Sequence, residues 1–186
     1  MFSKEMLKQS LPLLVLCGLG AIVAGSALNL MQDFFTKIPG LLVVIPAVIA
    51  MRGNISTAFG SRLGSAYHLG VIDKDNILNN ELKQNMIASI TLSFIMSFFI
   101  GILSYFISFI MGVANLPSPL VIILIVTIAG VISGVILSFM TIGIIYLVFM
   151  RGYDPDNITG PALATFGDII TILCILFSAS IVGGLI

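Results

Sequence analysis

The stretch DPDNITGPALATFGDIITILCILFSASIVGGLI, residues 154–186, carries a single carboxylate, Asp168, inside an otherwise apolar segment of membrane length. If the helix begins near Ile158, Asp168 lies ten residues in, about 15 Å at the helical rise. That is close to the midplane of a hydrocarbon core roughly 30 Å thick. A lone ionisable group at that depth costs at least ~2.5 kcal/mol on insertion scales, so it must face protein, water or an ion rather than lipid. The rest of the chain is read outward from this charge.

Composition supports the membrane reading. Of 186 residues 59% are hydrophobic and 9% charged, mean hydropathy is +1.19, and eight acidic residues balance eight basic ones. These values describe an all-α integral membrane protein, and the zero net charge gives no reason to expect nucleic acid as a partner. Cys17 and Cys174 both lie within apolar runs, which suits packing rather than a disulfide framework or a metal cluster.

The N-terminal run has Lys4 and Lys8 ahead of apolar residues, as a signal peptide does, but the run from Leu11 to about Met31 is long enough to span. The polar stretch Gln32 to Lys37 ends it. A second segment starts near Ile38, contains Pro39 and a kinking Pro46, and reaches Gly70. Residues 71–85 form the one substantial charged connection. A third segment runs from about Met86 to Met111, and a fourth, Leu120 to Met150, is long enough to expect tilt or a break near Gly143. RGYDPDN, 151–157, leads into the fifth.

Five spans put the termini on opposite sides. Lys4, Lys8, Lys74, Lys83 and Arg151 fall on the N-terminal side and Lys37 stands alone on the other, so the positive-inside rule places the N-terminus in the cytoplasm and the C-terminus outside a multi-pass cell membrane protein.

Four faces stand out by three-to-four spacing. Ser89, Ser93, Ser97 and Gly101 on the third segment, and Gly130, Gly134 and Ser138 on the fourth, read as packing seams, since small residues let helices approach closely. On the second segment Asn54, Thr57, Ser61 and Ser65 make one small, polar face, either a close-packed interface or a pore lining. On the last, Pro161, Ala164, Thr165, Asp168 and Thr171 bring an acid and two hydroxyls together, and such oxygen ligands suit hard cations. Arg52 and Arg62 are expected to snorkel towards the headgroups. A buried Asp168–Arg52 ion pair is the structural alternative. His68 reads as an interfacial histidine, with no second ligand at helical spacing.

Taken together, PAVIAMRGNISTAFGSRLGSAYHLG (46–70) and YDPDNITGPALATFGDIITI (153–172) resemble the membrane domain of the MgtE-type magnesium channels and transporters, and more closely its eukaryotic solute-carrier relatives. The carrying features are Gly53-Asn54 seven residues after Pro46, Ser61-Arg62-Leu63, Asp154-Pro155-Asp156-Asn157, and the Pro161, Thr165, Asp168 spacing. The resemblance implies five transmembrane helices per protomer in a homodimer, with the second and fifth lining a pore at the two-fold axis. It matches Asp168 to the pore carboxylate, Thr165 and Ala164 to the turn before it, and Gly53 and Asn54 to the second-helix motif. Thr57, Pro161 and Thr171 are then expected along the pore, and Asp154 and Asp156 either at its inner mouth or as ordinary helix caps. Bacterial members carry cytosolic sensor domains ahead of the first helix, whereas about ten residues precede it here, so residues 1–186 are expected to be one membrane domain without a sensor. Arg52 stands where those members commonly have glycine.

The implied activity is transport of a divalent cation, Mg2+ first, rather than an enzymatic reaction. Magnesium holds its waters tightly, so a pair of Asp168 carboxylates with Asn54 and Thr165 touching its hydration shell suits it better than an all-protein cage. A proton- or sodium-coupled exchanger uses the same carboxylate. An intramembrane aspartyl protease needs two acids in one site, and Asp154 lies about 21 Å from Asp168 along a continuous helix.

Overall fold

The structure is a computed structural model that describes residues 4–72, 79–151 and 155–184, with side chains from residue 11 in the first helix and from residue 158 in the last. It is all helical: α1 (Lys4–Asn29), α2 (Gln32–Lys37), α3 (Leu41–His68), α4 (Asn80–Ile110), α5 (Pro119–Met150) and α6 (Pro155–Gly183). Five of these, all but α2, are long and apolar enough to cross a membrane. The five spans are thus those expected, with several boundaries displaced.

The displacements have local causes. Gln32–Lys37 is a helix of its own rather than a polar linker, lying between the two spans with Asp33 in its first turn and Lys37 in its last. Both charges complement the helix dipole. Pro39 is outside α3, which starts only after Gly40 turns the chain with φ +96°, a conformation a side chain resists. Any Cβ there would also press on Leu116 and Ser108 at 3.1 Å. The charged connection is shorter than its composition suggests, because Asn79 caps α4 by accepting from the Leu82 amide at 2.9 Å. Residues 80–85 therefore join the helix. No break occurs near Gly143; α5 is continuous over 32 residues.

Packing follows the seams. On α4, Ser89, Ser93, Ser97, Gly101, Ser104 and Ser108 are all buried, and the first four lie against Ser138, Gly134, Gly130 and Ile123 of α5. Ser97 fills the space a side chain on Gly130 would need, and Gly101 sits against the Ile123 backbone, where an added Cβ would stand 2.9 Å from Cα. The freed hydroxyls bond within their own helix, as Ser93 does to the Ser89 carbonyl at 2.6 Å and Ser138 to that of Gly134 at 2.8 Å. An apolar core of Val44, Ile45 and Val48 of α3 with Ile122, Ile125 and Val126 of α5 and Ile172, Ile175 and Ala179 of α6 closes the second half of the bundle. At the opposite end Tyr67 stacks on Phe149 at 3.6 Å, and exposed His68 meets the same ring edge-on at 5.4 Å.

One expectation is overturned outright. Arg52 does not snorkel to a headgroup; it is 1% exposed, facing the interior from the middle of α3. Its Nη2 donates to Ser93 Oγ, while its Nε has no partner. The reason is register: α3 turns Arg52 onto the side of Val48, Phe59 and Leu63, which packs inward, and from mid-span the side chain is too far from either surface.

Candidate functional site

The outward faces of the bundle sort by chemistry. Those of α1, α4 and α5 present large apolar side chains such as Leu16, Ile22, Phe99, Phe106, Leu120 and Phe139, as does one side of α6 through Phe166, Leu173 and Phe177. The open face of α3 is different, with Ala50, Asn54, Ala58, Ser61 and Ser65 exposed and Gly53 and Thr57 half-buried among them. On α6 a second open strip carries exposed Ala164 and half-buried Asp168. Small and polar side chains at this depth gain nothing from lipid, and a carboxylate there loses heavily.

The two strips lie at the same depth. α3 and α6 are adjacent and run in opposite directions, and they touch at Gly60, where a Cβ would stand 3.0 Å from Leu163 and 3.1 Å from Thr159. Counting from that contact, six residues back along α3 reach Asn54 and about six forward along α6 reach Asp168. Each step is roughly 9 Å, so the amide and the carboxylate are level. Both are central, since the α3 span Leu41–His68 is centred beside Asn54 and the α6 span Ile158–Gly183 within three residues of Asp168. Thr57 and Ala164 form the next level by the same count.

The face expected on α6 is divided among three surroundings. Pro161 and Thr165 are half-buried against α1: Cys17 Sγ donates to the Pro161 carbonyl at 3.4 Å, and Thr165 occupies the space beside Gly20. Thr165 Oγ1 itself donates to the Pro161 carbonyl at 3.1 Å. Ala164 and Asp168 remain open. Thr171, expected beside them, is instead fully buried, and its hydroxyl has no partner. The strip closes there because the next turns of α6, Ile172 and Ile175, are wrapped by the core. On α3, Thr57 Oγ1 is engaged with the Gly53 carbonyl at 2.8 Å, so Asn54 offers the free amide of that face. Asp154 lies outside the described residues, and the side chain of Asp156 does too.

Asp168 and Arg52 are not an ion pair. The guanidinium is committed to Ser93 on the α4 side of α3, and an added Cβ on Gly134 of α5 would meet Nη1 at 2.6 Å, which locates it among three helices. This buried cation, read as a surface residue from the sequence, is the feature that residue-by-residue reading missed. A signal was present: Arg52 sits two positions from Asn54, and two helical positions are about 200° apart, so if Asn54 is open Arg52 must be enclosed.

No three His, Cys, Asp or Glu side chains come together among the described residues. The open face of the protomer offers one carboxylate, Asp168, and one amide, Asn54, at the same level, with Thr57 and Ala164 a turn away.

Comparison with known proteins identifies the family. The MgtE profile, described as a divalent cation transporter, matches residues 45–178, which include α3 from Ile45 and α6 to Ser178. The chain is 27% identical over 180 residues to solute carrier family 41 member 2 of Gallus gallus, covering 91% of this chain and 30% of that protein. It is 25% identical to the Homo sapiens member 2, over 85% of this chain and 28% of the relative, and 25% identical to member 3 of Rattus norvegicus, over 90% and 37%. The chain thus spans about three tenths of the length of the curated relatives it matches. Since the matching profile takes in well over half of the residues, including every open position of the two strips, the chain belongs to the MgtE family of divalent cation transporters.

Proposed function

We propose that this chain passes divalent cations, Mg2+ foremost, through a pore at the two-fold axis of a homodimer, with α3 and α6 of both protomers as its walls. The observation that carries the reading is the open strip at mid-span. Asp168 is half-buried rather than sealed, it is level with exposed Asn54, and both sit on faces too small and polar for lipid. A second copy related by a two-fold axis covers both strips at once and sets two Asp168 carboxylates and two Asn54 amides about one axis, as an isologous contact does.

The chemistry follows from the ion. Two Asp168 carboxylates offset one divalent charge where the low dielectric makes compensation most valuable. Asn54 hydrogen-bonds waters that the ion retains, since Mg2+ gives them up reluctantly. The Ala164 carbonyl faces the same lumen one turn away. Thr165 shapes the wall from behind through its contact with α1, and Gly53 and Thr57 keep the α3 wall thin. Pro161 holds the turn that seats α1. The Lys and Arg excess places the N-terminus and the segments 69–79 and 151–154 in the cytoplasm, so the ion meets Ser61 and Ser65 at the cytoplasmic end of the lumen.

The test is Mg2+ flux into vesicles that contain only this protein. Asp168→Asn keeps the shape and removes both charges, and the flux should fall at least tenfold while the variant stays folded and dimeric. Undiminished flux through a folded Asp168→Asn protein refutes the proposal. Applying proton or sodium gradients in the same vesicles separates a passive channel, whose Mg2+ flux ignores them, from a coupled exchanger.

A further inference from the structure

Of the charged side chains in the described spans, two sit near mid-depth, Asp168 of α6 and Arg52 of α3. Arg52 is two residues from Asn54, about 3 Å along the axis, so it stands at nearly the same level as Asn54 and Asp168. The same two residues turn it about 200° away from Asn54. Its guanidinium therefore lies behind the α3 wall, against Ser93 of α4 and Gly134 of α5. It is sealed from solvent, its Nε has no hydrogen-bond partner, and no carboxylate lies within 4.0 Å of it among the described residues. Tying α3 to α4 needs only a neutral donor to Ser93. A full charge at this depth is costly, and an unpaired one more so, which calls for a use of the charge itself.

We propose that Arg52 is a fixed counter-charge behind the pore wall, which limits how tightly a divalent cation is held at Asp168 and so how readily it leaves. The inference rests on the reading of α3 and α6 as pore walls. In the empty dimer two guanidinium charges offset two Asp168 carboxylates at the same depth. Once an ion stands between the carboxylates, the same two charges repel it, and a divalent ion feels twice the repulsion of a monovalent one. Conduction needs a site that is favourable enough to enter and weak enough to leave. Half a helix diameter on either side of the α3 axis, the length of the Arg52 side chain and one layer of retained water put each guanidinium about 15 Å from an ion on the axis. Even at the dielectric of bulk water, two unit charges at that distance weaken the binding of a divalent ion about fivefold.

Mg2+ binding to the purified full chain, measured by isothermal titration calorimetry, and the Mg2+ concentration that half-saturates flux into vesicles test this. Arg52→Met removes the charge and keeps the bulk, and should tighten binding about fivefold and lower the half-saturating concentration to match. Ser93→Asp neutralises the charge by another route, setting a carboxylate against the guanidinium, and should tighten binding in the same direction. Arg52→Lys, which keeps the charge, should show less than half of the Arg52→Met shift. A purely structural Arg52 predicts altered melting temperatures and lower maximal flux with an unchanged dissociation constant. Unchanged or weaker Mg2+ binding in folded Arg52→Met and Ser93→Asp proteins overturns the proposal, and either variant alone decides it if the other does not fold. Asp168→Asn tells this failure from failure of the pore itself: loss of Mg2+ binding there upholds the pore, and wild-type binding there removes the pore and the counter-charge together.

Discussion

Removing the Ser93 hydroxyl should destabilise the protein through Arg52, and that effect separates this architecture from one in which Arg52 serves Asp168. In the structure Arg52 is 1% exposed, its Nη2 donates to Ser93 Oγ, and its Nε already lacks a partner. A hydrogen bond to a charged group contributes about 1.5–3 kcal/mol in soluble proteins. Inside membrane proteins measured couplings are smaller, averaging about 0.6 and reaching about 1.7 kcal/mol. A bond to a fully enclosed guanidinium belongs near the top of that range, so Ser93→Ala should cost about 1–2 kcal/mol, and its coupling to Arg52→Met should be about 1.5 kcal/mol. By contrast Arg52→Met and Asp168→Asn share no contact, and their effects should add within about 0.5 kcal/mol. Equilibrium unfolding of the four proteins in each cycle, in one detergent, measures both couplings. A coupling above about 1 kcal/mol between Arg52 and Asp168, with none between Arg52 and Ser93, would refute the placement of the guanidinium.

Three further outcomes follow from the same contacts. Gly134→Ala puts a methyl group 2.6 Å from Arg52 Nη1 and 2.7 Å from Ser93 Oγ, and should destabilise by about 1–3 kcal/mol, whereas Gly143→Ala, with nothing within 4 Å, should be neutral or gain up to about 1 kcal/mol of helix propensity; thermal unfolding compares them. Gly20→Val forces α1 away from Thr165 and should lower both thermal stability and Mg2+ flux, while Gly18→Val and Gly25→Val, which meet nothing, should leave both within twofold. With Cys17 and Cys174 replaced, single cysteines at Asn54 or Ala164 should form disulfide-linked dimers under mild oxidation in the membrane, and cysteines at Phe99 or Phe177 on the lipid-facing sides should not; the reverse pattern would remove the two-fold pore.

How far the sequence alone reaches can be judged residue by residue. Five membrane spans are local properties, because hydropathy over about 20 residues decides whether a segment can cross, and that needs no partner. The Ser89–Gly101 and Gly130–Ser138 seams were likewise legible, since small residues at fourfold spacing have no use in a membrane helix except close approach. Asp168 announced itself by cost alone. The polar stripe of Asn54, Thr57, Ser61 and Ser65 was visible, but periodicity says which residues share a face and not what that face meets. Only the contact at Gly60 with Thr159 and Leu163 brings Asn54 level with Asp168, because the register of antiparallel helices is set by side-chain packing between segments a hundred residues apart. Tertiary packing alone also sent Thr171 into the core, turned Pro161 and Thr165 towards α1, and enclosed Arg52 beside Ser93 rather than at a surface. A helix presents every side of itself in its sequence, and the neighbours that cover each side are chosen by the whole bundle.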